Sequence, residues 1–198
     1  MATKTLITAE EFSKLAPHLG RCELVRGEII EMSPPGLIHG KIAMTLGARL
    51  FNYVQGHNLG EVFAAEAGFI VEYAADEKSR DTVRGPDISF VKKERIPEGG
   101  FDDTWGDFSP DLVVEVMSKN DTHREVLEKV GEYLDAGVRL VWVVRPQNKT
   151  VTVYRLNGEI EQLQGDDRKP LASVRLPNML DGEDVLPGFS CSVSDIFA

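Results

Sequence analysis

A strand–helix–strand pattern in the middle of the chain constrains the fold more than any other feature. Residues 111–117 read DLVVEVM, an almost continuous apolar run typical of a strand covered on both faces. Thr122 and Glu125 then form a capping box, which predicts a helix that Gly137 ends. Residues 140–144 form a second strand of the buried type. This order predicts two strands of one sheet joined by a right-handed crossover helix, and therefore an α/β fold.

Shorter elements are predicted around this centre. A capping box at Thr8 and Glu11 predicts a first helix, and residues 22–32 form a hairpin that turns at Arg26-Gly27. Because the sequence shows no repeat and no linker, we expect one domain over residues 1–198. The remaining predictions are a helix over 39–55, extended segments at 62–73, 87–92, 149–156 and 159–163, and loops at 74–85 and 97–110.

Composition excludes several classes of protein. With 22 Lys and Arg against 32 Asp and Glu, the net charge is −10, which excludes a broadly basic protein that coats nucleic acid. Cys22 and Cys191 are too few for a disulfide framework or a Cys-rich zinc site, so we expect a reducing cytoplasm. The start of the chain lacks the apolar core of a signal peptide, and no apolar run is long enough to cross a membrane.

Acidic residues inside apolar strands are the strongest chemical signal. Residues 111, 113, 115 and 117 share one face of their strand, which places Glu115 among valines. A carboxylate at that position is costly to bury without a partner. Asp87 stands at the start of another predicted strand and is expected to need a partner for the same reason. Strand-borne carboxylates that converge at one end of a sheet suit Mg²⁺ or Mn²⁺. The alternative is a structural salt bridge for Glu115 or Asp87, and a turn-capping role for Asp111.

Two basic side chains are candidates to act with these acids. Lys129 lies at the border of the apolar stripe of its helix, from which it can reach the acids and orient water or stabilise negative charge. The alternative is a pair with Glu125 or Glu132 on its own helix, whose solvent side we expect Glu132 to occupy. His39 lies on an apolar helix stripe and is expected to be a hydrogen-bonded core or subsite histidine rather than a base or ligand.

Several segments together resemble a known family. The chain is similar over nearly its whole length to the Uma-two family of restriction-endonuclease-like proteins, which have the PD-(D/E)xK nuclease fold. The segments that carry the resemblance are TAEEF at 8–12, ELVRGEIIEMSPPGLIHG at 23–40, RGPDISFV at 84–91, SPDLVVEVMSKND at 109–121, EKVGEYLDAGVRLVWVVRP at 128–146 and GEDVLPGF at 182–189.

The resemblance implies a mixed central sheet flanked by helices, with extra β-hairpins, and a set of site residues. Asp87 and Glu115 correspond to the two metal-binding acids. The motif's Lys should follow at position 117, which is Met117 here, so Lys129 from the next helix is the implied substitute and Lys119 a weaker one. A further acid is implied near the first long helix. The candidates are Glu28 and Glu31, of which Glu28 is preferred. Their odd spacing means that at most one of them points inward.

The predicted function is therefore a Mg²⁺- or Mn²⁺-dependent endonuclease that hydrolyses phosphodiester bonds of nucleic acid, with DNA favoured and a homodimer expected. The alternative is a catalytically inactive nuclease-fold module that binds nucleic acid or protein, which Met117 and the net charge of −10 favour. The acidic balance predicts weak, salt-sensitive binding unless the following basic residues line one cleft: Lys41, Arg84, Lys92, Lys93, Arg95 and Lys119.

Overall fold

A computed structural model describes residues 6–65, 67–74, 81–101, 103–165 and 178–198. Within these ranges the helices are α1 (Ala9–Leu15), α2 (Leu37–His57), α3 (His123–Asp135) and α4 (Val193–Ile196). The strands are β1 (Cys22–Val25), β2 (Glu28–Glu31), β3 (Gly60–Ala64), β4 (Phe69–Glu72), β5 (Thr82–Arg84), β6 (Ile88–Lys92), β7 (Leu112–Val116), β8 (Leu140–Arg145), β9 (Thr150–Arg155), β10 (Ile160–Gln164), β11 (Met179–Asp181) and β12 (Ser190–Ser192).

The strand–helix–strand pattern forms the centre of a six-stranded mixed sheet. Its strand order is β10-β9-β8-β7-β6-β3. Strands β7 and β8 are parallel, with Val113 opposite Val141, and α3 connects them. The other neighbours in the sheet are antiparallel. The predicted crossover is therefore confirmed, with the capping box of Thr122 and Glu125 at the start of α3.

Alternate residues of β7 point to opposite faces of the large sheet. They therefore belong to two cores, one packed against α2 and one packed against α3. Leu112, Val114 and Val116 belong to the core that packs against α2. Val113 belongs to a second core on the opposite face, together with the buried residues of α3. Because Glu115 and Met117 share the parity of Val113, they lie on the face that α3 covers. The sheet therefore presents its candidate acid to α3 rather than to α2.

A smaller sheet packs beside α3. Its strand order is β2-β1-β5-β4, and its core includes Phe12, Leu24 and Val83. The β1–β2 turn has positive φ at both Arg26 (49°) and Gly27 (80°), as a tight turn between antiparallel strands requires. At the end of the chain, β11, β12 and α4 cover the core on the α2 face of the large sheet.

Two predictions about local structure need correction. Residues 62–73 are not one extended segment, because β3 joins the large sheet and β4 the small one. Gly68 lies between these two strands and against the Trp105 ring. A Cβ atom added at Gly68 would be 2.5 Å from Cδ1 of Trp105. Part of the loop predicted at 74–85 is strand β5, whose three residues are too few to show an alternating pattern. Residues 75–80 of that loop lie outside the described ranges.

Two further predictions from the sequence concern the two cysteines and the lack of an apolar run long enough to cross a membrane. Cys191 is buried and Cys22 is half-buried, and both are free thiols. In the part of the chain that the structure describes, no helix combines the length and apolar character needed to span a membrane.

We predict that Thr122→Ala destabilises the protein by about 1 kcal/mol, because the Thr122 hydroxyl accepts the Glu125 N–H at the start of α3. Urea unfolding measures the change. Thr45→Ala is the matched control, since the Thr45 hydroxyl only donates to the Lys41 carbonyl inside α2 and its loss should change stability little. Equal effects of the two substitutions would contradict the capping role.

Candidate active site

Asp87 and Glu115 lie at the same end of the large sheet. Asp87 immediately precedes β6, Glu115 is in β7, and the register pairs their neighbours Ile88 and Val114. The Asp87 side chain is 4% exposed, and its Oδ2 accepts the backbone N–H of Val116 at 2.8 Å. The Asp87 carboxylate is near enough to raise the pKa of Glu115, and we call these two residues the acidic pair.

The surroundings of Glu115 oppose its ionisation. Burial raises the pKa of Glu115 to about 7, Lys129 acts against this effect, and the carboxylates of Asp87 and Glu23 add to it. The Tyr133 hydroxyl donates to Glu115 Oε1 at 2.7 Å, and Lys129 Nζ lies 3.8 Å from Oε2. Glu115 is thus held by two groups of α3 in a position where an added cation would relieve repulsion.

Lys129 is anchored by a third acid, Glu23 of β1. Its Nζ lies 3.0 Å from Glu23 Oε1, and its side chain is only 17% exposed. Burial lowers the pKa of Lys129, but the carboxylates of Glu115 and Glu23 outweigh this effect and raise it above the ordinary value. The amine is therefore a fixed cation next to the acidic pair.

Arg84 completes a buried ionic cluster between the small sheet and α3. Its Nη1 lies 2.7 Å from Glu23 Oε2 and its Nη2 lies 2.6 Å from Glu132 Oε2. Burial disfavours the charged form of Glu23, yet Lys129 and Arg84 together hold the pKa of that carboxyl below its usual range. We call Glu23, Arg84, Lys129 and Glu132 the ionic cluster. It fixes the position of α3, and hence of Lys129, relative to Glu115.

His39 and Arg21 approach Asp87 from the other side. His39 Nε2 lies 3.0 Å from Asp87 Oδ2, and this hydrogen bond raises the pKa of the imidazole despite burial. Arg21 Nη2 lies 3.6 Å from Asp87 Oδ1. All three side chains line one end of a cleft of about 610 Å³ between α2 and the edge strand β3. Asp87 is thus oriented by the protein and also accessible from this cleft.

Comparisons with known proteins identify the family. The profile of the Uma2 family, described as "Putative restriction endonuclease", matches residues 9–194. The chain belongs to the Uma2 family. A crystal structure described as a "putative nuclease belonging to DUF820" from Anabaena variabilis ATCC 29413 is similar with a TM-score of 0.73 and 24% identity, over 96% of this chain and 97% of that one. No curated protein matches the chain.

Membership of the Uma2 family confirms the family predicted from the sequence and supports a nuclease that acts on nucleic acid. The solved structure shows the same fold, so the predicted mixed central sheet flanked by helices is also confirmed. Position 117 is the place where the sequence departs from the expected motif. Met117 packs on the α3 face of the sheet, and the amine near the acids comes from Lys129 instead.

The structure gives different positions to the remaining predicted residues. Glu23, rather than Glu28 or Glu31, is the hairpin acid that contacts Lys129. Glu28 shares the face of Glu23 but lies at the turn, opposite Val25, and Glu31 is exposed.

Asp111 is separated from the acidic pair by the length of β7, about 13 Å. There it accepts the Lys92 N–H at 2.9 Å and pairs with Arg95 at 3.1 Å, so it fastens the other end of the strand. Lys119 is exposed in the turn after β7.

Sequence reasoning missed Glu23 and placed Glu132 on the wrong side of its helix. Glu23 lies between Cys22 and Leu24 in an apolar strand, and the rule that selected Glu115 would also have selected it. Glu132 was expected on the solvent side, yet its side chain is 11% exposed and pairs with Arg84. Arg84 is therefore occupied, and Lys92 and Arg95 lie at the Asp111 end of the sheet. Arg84, Lys92 and Arg95 therefore do not line one cleft, which was the condition for stronger binding of nucleic acid.

We predict that Arg84→Met destabilises the protein by about 3–5 kcal/mol, because it leaves Glu23 and Glu132 buried without their shared cation. Arg124→Met is the matched control, since Arg124 pairs with Glu128 on the exposed surface of α3, and this change should leave stability nearly unchanged. Urea unfolding compares the two. A small loss for both variants would mean that the ionic cluster does not stabilise the fold.

Proposed function

We propose that this Uma2 protein is a divalent-cation-dependent endonuclease that hydrolyses phosphodiester bonds of DNA. The observation that carries the proposal is the acidic pair of Asp87 and Glu115 with a fixed amine, Lys129 Nζ, 3.8 Å from Glu115 Oε2. Family membership supports nucleic acid as the substrate. We extend the proposal to a homodimer, because two sites related by a two-fold axis can cut both strands of a duplex.

The donor atoms of the acidic pair fit Mg²⁺ or Mn²⁺. Among the described residues, no group of three or more His, Cys, Asp or Glu side chains is arranged to hold a metal ion. Mg²⁺ fits such a site because it keeps several waters and binds through one or two carboxylates together with substrate phosphates. Asp87 and Glu115 would hold the ion. When bound, it would polarise a phosphoryl oxygen and lower the pKa of a coordinated water.

The protein's own groups prepare this site. The Val116 N–H and His39 fix the Asp87 carboxylate, and the Tyr133 hydroxyl fixes Glu115. Lys129, held by Glu23, places a positive charge where negative charge develops on the phosphate. Because these groups are already oriented and largely buried, little reorganisation is needed during the reaction.

One observation favours the alternative, an inactive nuclease-fold module. Lys129 already pairs with Glu23 and lies near Glu115, so an internal cation occupies part of the place where a metal ion would act. Such a protein would fold and bind its partner without a metal ion and would cleave no nucleic acid. The two experiments that follow distinguish it from the enzyme.

We predict that Glu115→Gln and Asp87→Asn each reduce Mn²⁺-dependent nicking of supercoiled DNA by at least about a hundredfold, because a metal ion supplies several kcal/mol of transition-state stabilisation. Calorimetry should show weaker Mn²⁺ binding by both variants. Glu128→Gln is the control, since Glu128 is on the exposed face of α3 and should retain activity. Undiminished cleavage by both variants would exclude the acidic pair. Absence of cleavage and of Mn²⁺ binding in the unaltered protein would favour the inactive module.

We also predict that Lys129→Met lowers kcat by about 100- to 1,000-fold, the usual cost of removing one group that stabilises charge in the transition state. Mn²⁺ affinity should be retained, because removal of a neighbouring positive charge does not weaken cation binding to the acids. Lys119→Met is the control for the weaker candidate and should leave kcat unchanged. If Lys119→Met abolished cleavage and Lys129→Met did not, the two roles would be reversed.

A further inference from the structure

The cleft beside Asp87 has walls that are mostly apolar. Small residues of α2, Ala43, Gly47 and Ala48, form one wall, and Val62 of β3 and Ile88 of β6 contribute to the other. Its volume of about 610 Å³ lies within the range of roughly 300–1,000 Å³ that small-molecule sites show. Its size therefore suits a small group such as a single nucleobase.

The ionisable side chains of the cleft are Asp87 of the acidic pair and two basic residues that contact it. Arg21, His39 and Asp87 line one end of the cleft, and the carboxylate of Asp87 lies within 3.0 Å of His39 Nε2 and 3.6 Å of Arg21 Nη2. The His39 side chain is 10% exposed, and its Nδ1 has no hydrogen-bond partner among the described residues. An anionic group at this end would meet two basic side chains directly beside a proposed metal ligand.

The rest of the cleft is suited to a flat apolar group rather than to phosphate. Phe51 of α2 lines it with 49% of its surface exposed, which leaves the ring available for stacking. Proteins that follow a nucleic-acid backbone use stripes of Lys and Arg, while aromatic platforms bind unstacked bases. Here Arg84 is buried in the ionic cluster, and Lys92 and Arg95 lie at the far end of the sheet.

We propose that this cleft binds an unpaired nucleobase of the substrate, with the phosphate of the same nucleotide placed at Arg21 and His39, beside Asp87. The proposal rests on the proposed nuclease function and adds the substrate class to it: DNA with an unpaired or unstacked nucleotide at the cleavage site. Extracting a base from a paired duplex costs a few kcal/mol, so a site of this kind selects nucleotides that are already unpaired.

The first experiment compares three substrates in Mn²⁺: a fully paired duplex, the same duplex with one unpaired nucleotide, and a single strand. The unpaired nucleotide is 2-aminopurine, whose fluorescence reports its stacking environment, and Ca²⁺ replaces Mn²⁺ for the binding measurement. We expect kcat/KM at least about tenfold higher for the two substrates with unpaired nucleotides, since extraction of the base is then avoided. We also expect a change in fluorescence on binding.

Variants then test whether the cleft itself is responsible. Ala48→Trp fills the cleft and should abolish the fluorescence change and the preference for unpaired nucleotides, while Mn²⁺ affinity stays the same. Phe51→Ala should weaken binding of the unpaired substrate by about 5- to 100-fold through loss of stacking. Gln55→Trp is the control, because Gln55 is exposed on the same helix but does not line the cleft. Thermal unfolding of each variant excludes misfolding.

Each other outcome has a distinct meaning. Equal cleavage of paired and unpaired substrates, unaffected by Ala48→Trp, would overturn the inference and leave the nuclease function intact. A fluorescence change without cleavage of any substrate would overturn the nuclease function but retain the base-binding cleft. If sedimentation velocity shows that Ala48→Trp converts a dimer to a monomer, and the unaltered protein shows no preference for unpaired nucleotides, then the cleft is an interface between copies and the inference is wrong.

Discussion

The ionic cluster between the small sheet and α3 is the interaction on which the candidate site depends. Arg84 joins Glu23 of β1 to Glu132 of α3, and Glu23 also holds Lys129. Because a buried charge without a partner is strongly destabilising, the packing of α3 against the small sheet must keep these charges paired. The same contacts that attach the small sheet therefore also set the distance between Lys129 and Glu115.

The fold combines an apolar central sheet with an acidic centre at one end of that sheet. On its α2 face the sheet buries apolar side chains, whereas one end of the sheet carries Asp87 and Glu115 on neighbouring segments. The hydrophobic cores fix the strands and so hold both carboxylates at this end. Burial and the carboxylates of Asp87 and Glu23 raise the pKa of Glu115, while Lys129 acts against them.

The sequence predicts those features that depend on local periodicity. The alternation in β7 placed Glu115 on one face with residue 113, and the capping box placed the start of α3 correctly. It did not predict Glu23 as the third acid, because the choice among the acids of the hairpin depends on how the small sheet packs against α3. The position of Lys129 on its helix likewise allowed a partner on the same helix, and only the tertiary contact with Glu23 decides between the two.

The net negative charge of the chain has to be compared with the positions of the basic residues at the candidate site. A net charge of −10 would prevent binding to DNA if attraction depended on a broad basic surface. Among the described residues, basic groups contact the two acids individually: Lys129 beside Glu115, and Arg21 and His39 beside Asp87. Under the proposed function, affinity would therefore depend on the short part of the substrate that reaches the acidic pair rather than on many phosphates of a long duplex.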